Sequence, residues 1–413
     1  MRPTARGWTV AVVALMLYFF ANQTQVGWLY VLSAITAGVW LAALFIPRRM
    51  LSRLSLARRI NGVAMPAELE LTVGQPVSLD LELANAGGTP ALQVRGVQVC
   101  PFGPPADRRL PFFVPAAPSR RSVELHHETV CTRRGWFEFP PVTLTTAAPF
   151  GFFCARRSVN APASVLVLPE YRELERVSLL DRMPAVENTF AQIGVGGEVV
   201  GVREYRPGDS RRHIHWRSSA RAGQLIVKEF AQETQPGLTI ALDLRAASAI
   251  GSDEDTSLEL GIKITATLAR YADQRGLPVA LATNSRQWPA PFGPLSWWAL
   301  MNYLARVQAE GDEPFAECLQ GFTTAGVATT TFMAAILTAP DGAAVEPLIE
   351  LRRSGLSVLA VVIDPTPFFS GAQLSPGQVD AVAGPLVAGG VSVRVVGPEP
   401  DWERTLCRED EPV

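Results

Sequence analysis

The residues of this chain best suited to chemistry are His213, His215 and Asp209. Residues two apart on a strand share a face, so the histidine pair with the aspartate offers a metal site or an acid–base set. The signal is weak by itself: the chain has only 4 histidines, and the other two, His126 and His127, stand in a different region. The cations around the pair are more informative. Residues 201–228 carry Arg203, Arg206, Arg211, Arg212, Arg217, Arg221 and Lys228 against only Glu204 and Asp209, with Trp216 among them. An internal ion-pair network leads the readings. Arg203 and Arg212 would make forked bonds to Glu204, Asp209 or Glu229, Trp216 would pack in a joint between two domains, and Arg221 would lay its stem on apolar surface. Partner docking stands second and is compatible with the first, since arginine beside an aromatic anchor is interface composition. Catalysis comes third. Nucleic-acid binding is last: arginine and tryptophan suit phosphate contacts and base stacking, but the net charge is -2 and no binding motif accompanies them.

Positioning these side chains requires strands on either side. Val199-Val200 and Leu225-Ile226-Val227 are apolar flanks, and Pro207-Gly208-Asp209 is a turn signal. The predicted order is strand, turn, strand, short helix, strand. Three further aspartates, Asp243, Asp341 and Asp364, fall at or just past predicted strand ends, where ligands of parallel sheets bind.

A chain of 413 residues exceeds one compact core and implies two or three domains. Its charge balance excludes a global attraction to nucleic acid or anionic lipid; the positive charge is local. Mean hydropathy is +0.15, with the excess at the N-terminus. The 5 cysteines, Cys100, Cys131, Cys154, Cys318 and Cys407, form no CxxC pair, and an odd count argues against a full disulfide framework.

Residues 1–50 read as a transmembrane helical hairpin, with spans at about 7–21 and about 26–46. No small-residue cleavage site follows the first run and a full span does, which sets aside a signal peptide. Trp8, Tyr18, Trp28, Tyr30 and Trp40 suit interfacial positions. Arg2 and Arg6 precede the first span, and Arg48, Arg49, Arg53, Arg58 and Arg59 follow the second, so both ends are expected in the cytoplasm. Residues 51–65 read as a basic cytoplasmic linker. Residues 66–168 alternate apolar and polar between glycine and proline turns. Strands are predicted at 68–73, 77–83, 92–99, 122–130, 135–139, 142–146 and 164–168. They imply an antiparallel β-sandwich of immunoglobulin type, without that fold's Cys, Trp, Cys spacing. A connector, 169–200, leads into the basic motif at 201–230. From 231 to 413, strands are predicted at 238–242, 277–282, 331–337, 357–363 and 391–396, and helices at 257–271, 295–307, 343–354 and 376–388. Such alternation implies an α/β domain with a mainly parallel sheet covered on both faces.

This order of parts, with a motif of the form GxREYxxGDxxRxIxWxxSAR, resembles the domain-of-unknown-function-58 family over nearly the whole chain. The motif residues are Gly201, Arg203, Glu204, Tyr205, Gly208, Asp209, Arg212, Ile214, Trp216, Ser219, Ala220 and Arg221. A second match is Arg134-Gly135 followed by Pro149-Phe150-Gly151-Phe152-Phe153, where Ala148 stands in place of the family's usual aspartate. The resemblance implies a C-terminal von Willebrand factor A-like domain. Such domains often hold a divalent metal through a DxSxS motif after the first strand, which supplies a carboxylate and two hydroxyls. Here the stretch is Asp243-Leu244-Arg245-Ala246-Ala247, so Arg245 and Ala247 replace both hydroxyls, and Arg245 would repel a cation. The site at Asp243 is degenerate, no metal or cofactor is expected, and Asp341 reads as a turn residue. The resemblance also implies association with MoxR-type AAA+ ATPases and transglutaminase-like membrane proteins, and brings no firm biochemical activity.

The resulting expectation is a multi-pass, membrane-anchored scaffold or adaptor of a bacterial cell membrane. Its soluble domains are cytoplasmic, and it is neither an enzyme nor a nucleic-acid binder. Arg203, Glu204, Tyr205, Gly208, Asp209, Arg212, Trp216, Ser219 and Arg221 form the interaction motif. The alternative is a metal-dependent or acid–base hydrolase using Asp209, His213 and His215.

Overall fold

The computed structural model describes residues 2–181, 199–205, 214–230, 237–252, 254–287, 293–324, 332–368 and 377–408. The chain divides into two compact units, Met1–Glu170 and Tyr171–Val413.

The first unit begins with α1 (Ala5–Thr24) and α2 (Gly27–Ser52), both long and apolar enough to cross a membrane, with mean hydropathies of 1.3 and 2.1. The Thr4 side chain caps α1 by accepting from Gly7 N. Gly7, Ala14 and Ala21 recur every seventh residue and are buried, a small-residue seam that lets the helices approach closely. Ser33 Oγ donates to Ala14 O across that seam at 2.9 Å. The large apolar side chains, among them Leu15, Phe19, Trp28, Ile35 and Phe45, face outward.

Both helices run past the predicted spans. α2 continues through Pro47 until Met50 and Leu51 enter the β core, which overturns the predicted linker. Residues 51–65 hold the end of α2, strand β1 (Leu54–Ile60) and a short strand Val63–Ala64. β1 alternates buried and exposed residues throughout; its adjacent arginines hide that pattern in the sequence. Arg58 takes an inward position and is buried, so it is no free flanking cation.

The remaining strands are β2 (Leu69–Thr72), β3 (Pro76–Asn85), β4 (Ala91–Val99), β5 (Arg109–Ala117), β6 (Ser122–Val130), β7 (Gly135–Glu138), β8 (Val142–Thr146), β9 (Phe153–Val159) and β10 (Ser164–Leu168). A 4-stranded sheet runs Val63–Ala64, β1, β3, β6; a 5-stranded sheet runs Arg2–Pro3, β9, β8, β4, β5; a 3-stranded sheet runs β2, β10, β7. Leu54, Leu56, Leu81 and Leu83 of the first sheet pack on Val94, Val114, Leu144 and Ala155 of the second. Ile60, Val77 and Leu79 pack on Leu71, Val165 and Val167 of the third. The set is not wholly antiparallel, because β2 and β10 pair in parallel with Leu69 opposite Val165. β5 falls outside the predicted strands because it carries Pro111 and Pro115. It sits at a sheet edge, where a missing N–H costs no ladder bond.

The helical pair is seated on this β unit. A Cβ on Gly7 would lie 2.3 Å from Phe152 O. Trp40 Nε1 donates to Gly7 O at 2.9 Å, and the Trp40 ring meets Phe153 edge-on with centroids 5.1 Å apart. The segment from Pro149 to Phe153, singled out by the sequence, thus supplies the seat of the hairpin's base.

In the second unit a single helical turn, Ser178–Asp181, lies in the predicted connector, of which residues 182–198 are outside the described residues. β11 (Val199–Glu204) and β12 (Ile226–Phe230) pair antiparallel, and α3 (Trp216–Ala222) lies between them in sequence. The large sheet contains β13 (Leu238–Leu242), β14 (Val279–Thr283), β15 (Phe332–Leu337), β16 (Ser357–Ile363) and β17 (Ser392–Val396), in the order β14-β13-β15-β16-β17. Every pairing in it is parallel. The helices of this unit are α4 (Ser257–Gln274), α5 (Trp297–Arg306), α6 (Phe315–Thr324), α7 (Val345–Arg353), α8 (Gln378–Ala388) and α9 (Trp402–Leu406). All residues of β13 and β15 are buried, as a sheet covered on both faces requires. α6 and α9 are absent from the predicted helices. α6 nonetheless buries Phe315 and Leu319, one turn apart, in the core.

Candidate functional site

The strand order of the parallel sheet reverses between β13 and β15, and the crevice beyond their carboxyl ends is where such sheets bind ligands. Asp243, directly after β13, lies there with no solvent exposure. A buried carboxylate needs a full set of donors, and five are present. Arg245 Nε approaches Oδ1 at 3.0 Å and Arg245 NH2 approaches Oδ2 at 2.9 Å. Arg245 N and Asn284 Nδ2 donate to Oδ1 at 3.1 and 2.9 Å, and Thr338 Oγ1 to Oδ2 at 3.4 Å. The same Arg245 NH2 lies 2.8 Å from Asp341 Oδ2. Partial burial works against the charge on Arg245, but its contacts with Asp243 and Asp341 outweigh it and raise the pKa.

The guanidinium therefore stands between two carboxylates. Among the described residues no group of three or more His, Cys, Asp or Glu is arranged to hold a metal. Asp341 is also the turn residue expected, since its Oδ1 accepts from Ala343 N at 3.0 Å. Asp364 takes a local role too, with Oδ1 accepting from Thr366 N at 2.9 Å. Gly311 closes the crevice wall: its N–H donates to Leu244 O at 2.8 Å, and a Cβ there would meet Arg245 N at 2.6 Å. Asn284 and Thr338 escape the sequence reading. The polar run Thr283-Asn284-Ser285 at the end of an apolar strand is the signal that would have found the first.

The basic motif forms a second site in the same unit. Arg203 and Glu204 lie in β11, and Glu204 Oε1 accepts from Gln224 Nε2 at 2.6 Å. Tyr205 N donates to Leu225 O, and Ile214 bridges Val227. His215 caps α3, its Nδ1 accepting from Ser218 N at 3.2 Å and lying 2.7 Å from Ser218 Oγ. That use of Nδ1 occupies the nitrogen on its own helix. Ser219 is the staple: its Oγ donates to His215 O at 3.1 Å and accepts from Ile226 N at 2.9 Å. The αL residue Gly223, φ 71°, ends the helix.

With Ser219 facing inward, Trp216, Arg217, Ala220 and Arg221 share the outer face of α3. Trp216 is 67% exposed. Gly208, Asp209, Arg212 and His213 lie outside the described residues. The predicted pairings of Asp209 and Arg212, and the Asp209/His213/His215 hydrolase set, therefore lie outside them as well.

The model of the family described as "Protein of unknown function DUF58" matches residues 201–314. That stretch contains α3, Asp243, Arg245, Asn284 and Gly311. The uncharacterized protein YeaD of Bacillus subtilis (strain 168) is 21% identical over 210 residues, which are 48% of this chain and 49% of that protein. The chain thus spans about half the length of the curated relative it matches. Both findings support the DUF58 resemblance. Solved structures are similar only at a low level. A CARDB domain from Pyrococcus furiosus gives a TM-score of 0.19 at 14% identity, covering 28% of this chain and 94% of that one. A GH20 exo-β-N-acetylglucosaminidase from Vibrio harveyi gives 0.23 at 8% identity, covering 84% and 82%. Neither similarity supports a statement about fold or activity.

Proposed function

We propose that this protein is a multi-pass, membrane-anchored scaffold or adaptor, with its soluble parts in the cytoplasm and a C-terminal domain of von Willebrand factor A type. The observation that carries the docking role is the exposed Trp216 beside Arg217 and Arg221, on a helix whose inner face Ser219 fixes to β12. A tryptophan left in water loses apolar hydration free energy that a partner recovers, and arginines around it supply the polar rim. The partner is a MoxR-type AAA+ ATPase, with a transglutaminase-like membrane protein as a second candidate. Anchoring is supported by the outward-facing apolar residues of α1 and α2, and orientation by Arg2, Arg6, Arg48 and Arg49 at the hairpin's base.

The test is affinity purification of the full chain from native membranes in mild detergent, with and without ATP. Wild type is compared with a Trp216→Ala, Arg217→Ala variant whose thermal melt is unchanged. An AAA+ ATPase recovered with wild type and lost with the variant is the expected result. Equal recovery with both removes α3 as the docking face, and recovery with neither removes the partner.

A further inference from the structure

Where α2 leaves its apolar run, a cavity of about 430 Å³ opens between the helix end and β9, lined by Arg48, Leu51, Ser52, Ala155, Arg156 and Arg157. Among the described residues lining it, three are arginines and none is acidic. Arg157 is held in place, because its NH1 donates to Leu51 O in the last turn of α2 and to Leu54 O at the start of β1. The first of those bonds serves a helix-end carbonyl, and both leave Nε and NH2 of the guanidinium outside them. Arg48 and Arg156 are exposed and enter no ion pair among the described residues. Like charges gathered around one cavity repel each other unless an anion joins them.

Depth identifies the anion. From Gly27 to Ile46 the helix is apolar over about 20 residues, or about 30 Å, the thickness of a hydrocarbon core. Arg48 follows two residues later, at the level of lipid headgroups. We propose that this cavity binds the phosphate of an anionic lipid headgroup, clamping the β unit against the bilayer surface. The proposal rests on the membrane-anchored reading. Its chemistry is that of arginine-lined juxtamembrane pockets, where each cation contributes to attraction for anionic lipid.

The test is native mass spectrometry of the full chain in mild detergent with phosphatidylglycerol or phosphatidylcholine added, and separately with inorganic phosphate. Wild type is expected to retain phosphatidylglycerol in preference to phosphatidylcholine. An Arg48→Gln, Arg156→Gln variant is expected to lose about tenfold or more of that preference. Arg157 is left intact because it also ends α2, and an Arg48→Lys, Arg156→Lys variant, which keeps the charge, is expected to retain the preference. Equal retention of both lipids by wild type, or an unchanged preference in the glutamine variant, overturns the proposal. Binding of inorganic phosphate without lipid preference overturns it in favour of a soluble anion. Alkaline carbonate extraction of membranes separates the two levels: a chain released by carbonate defeats anchoring and the site together, whereas a retained chain without lipid preference defeats the site alone.

Discussion

Arg245 NH2 lies 2.9 Å from Asp243 Oδ2 and 2.8 Å from Asp341 Oδ2, so one guanidinium joins the aspartate that ends β13 to the aspartate that follows β15. Asp243 has no exposure, and Arg245 is the cation set against it. Arg245→Ala leaves a buried carboxylate without its cation and is expected to cost about 3 kcal/mol. Asp243→Asn in the same chain recovers most of the loss. Because the vacated volume lies between two carboxylates, magnesium ions raise the melting temperature of Arg245→Ala but not of wild type. Thermal melts of the three proteins with and without magnesium decide the matter; an Arg245→Ala melt equal to wild type would defeat it.

Ser219 and Trp216 share one short helix and differ in role. Ser219→Ala removes the hydroxyl that both donates to His215 O and accepts from Ile226 N, and is expected to cost about 1–2 kcal/mol. Trp216→Ala touches an exposed side chain and should change stability by less than about 0.5 kcal/mol. Chemical denaturation of both variants measures the order, and the reverse order would refute the assignment of staple and docking face.

Arg58 is an internal liability. Its NH1 donates to Ala161 O and its guanidinium lies 4.2 Å from the Phe139 ring centroid, while Nε and NH2 have no hydrogen-bond partner among the described residues. Burial pushes its pKa down to about 10, against a smaller upward pull from Cys100. The native state thus holds this proton less tightly than the unfolded chain. The penalty is in full below about pH 10 and shrinks as pH rises from there towards the ordinary guanidinium value. The ring contact returns about 1–2 kcal/mol, less than burial removes. Arg58→Met is therefore expected to be more stable at neutral pH by about 1–3 kcal/mol, with the gap closing above about pH 10. Denaturation midpoints at both pH values provide the check, and a variant less stable than wild type at neutral pH would contradict it.

His126 acts with the opposite sign. Hydrogen bonds to Asp80 and then to Glu128 raise its pKa above 6.5. Its contribution to stability is fully present below about pH 6.5 and is lost as pH rises through the raised value. In His126→Gln this part of the pH dependence is expected to flatten. Denaturation midpoints from about pH 5.5 to about pH 8.5 test it, and identical slopes in the two proteins would dismiss the pair.

The sequence by itself determined the elements whose pattern is periodic and uninterrupted. The two apolar helices, the alternating strands such as Val142–Thr146, and the fully apolar strands Leu238–Leu242 and Ser357–Ile363 were all legible, because burial of one or both faces imposes period 2 or an unbroken apolar run. Tertiary structure decided the rest. β1 reads as a basic linker because Arg58 and Arg59 sit in it, yet Leu54, Leu56 and Ile60 find a core only once β3 pairs beside them. β5 reads as broken by proline, yet an edge position makes its lost donors harmless. At the candidate site, Asp243 and the hydroxyl-lacking motif were visible. That Arg245 bridges to Asp341, with Asn284 and Thr338 completing the shell, was not, because residues 41 and 95 positions apart meet there only through the strand order of the sheet. Likewise the composition of the basic motif pointed to both a network and a docking face; which way Trp216 faces depended on Ser219 bonding to β12. Local pattern records which face of an element is buried, while the partners that meet across elements are set by pairings that sequence spacing does not encode.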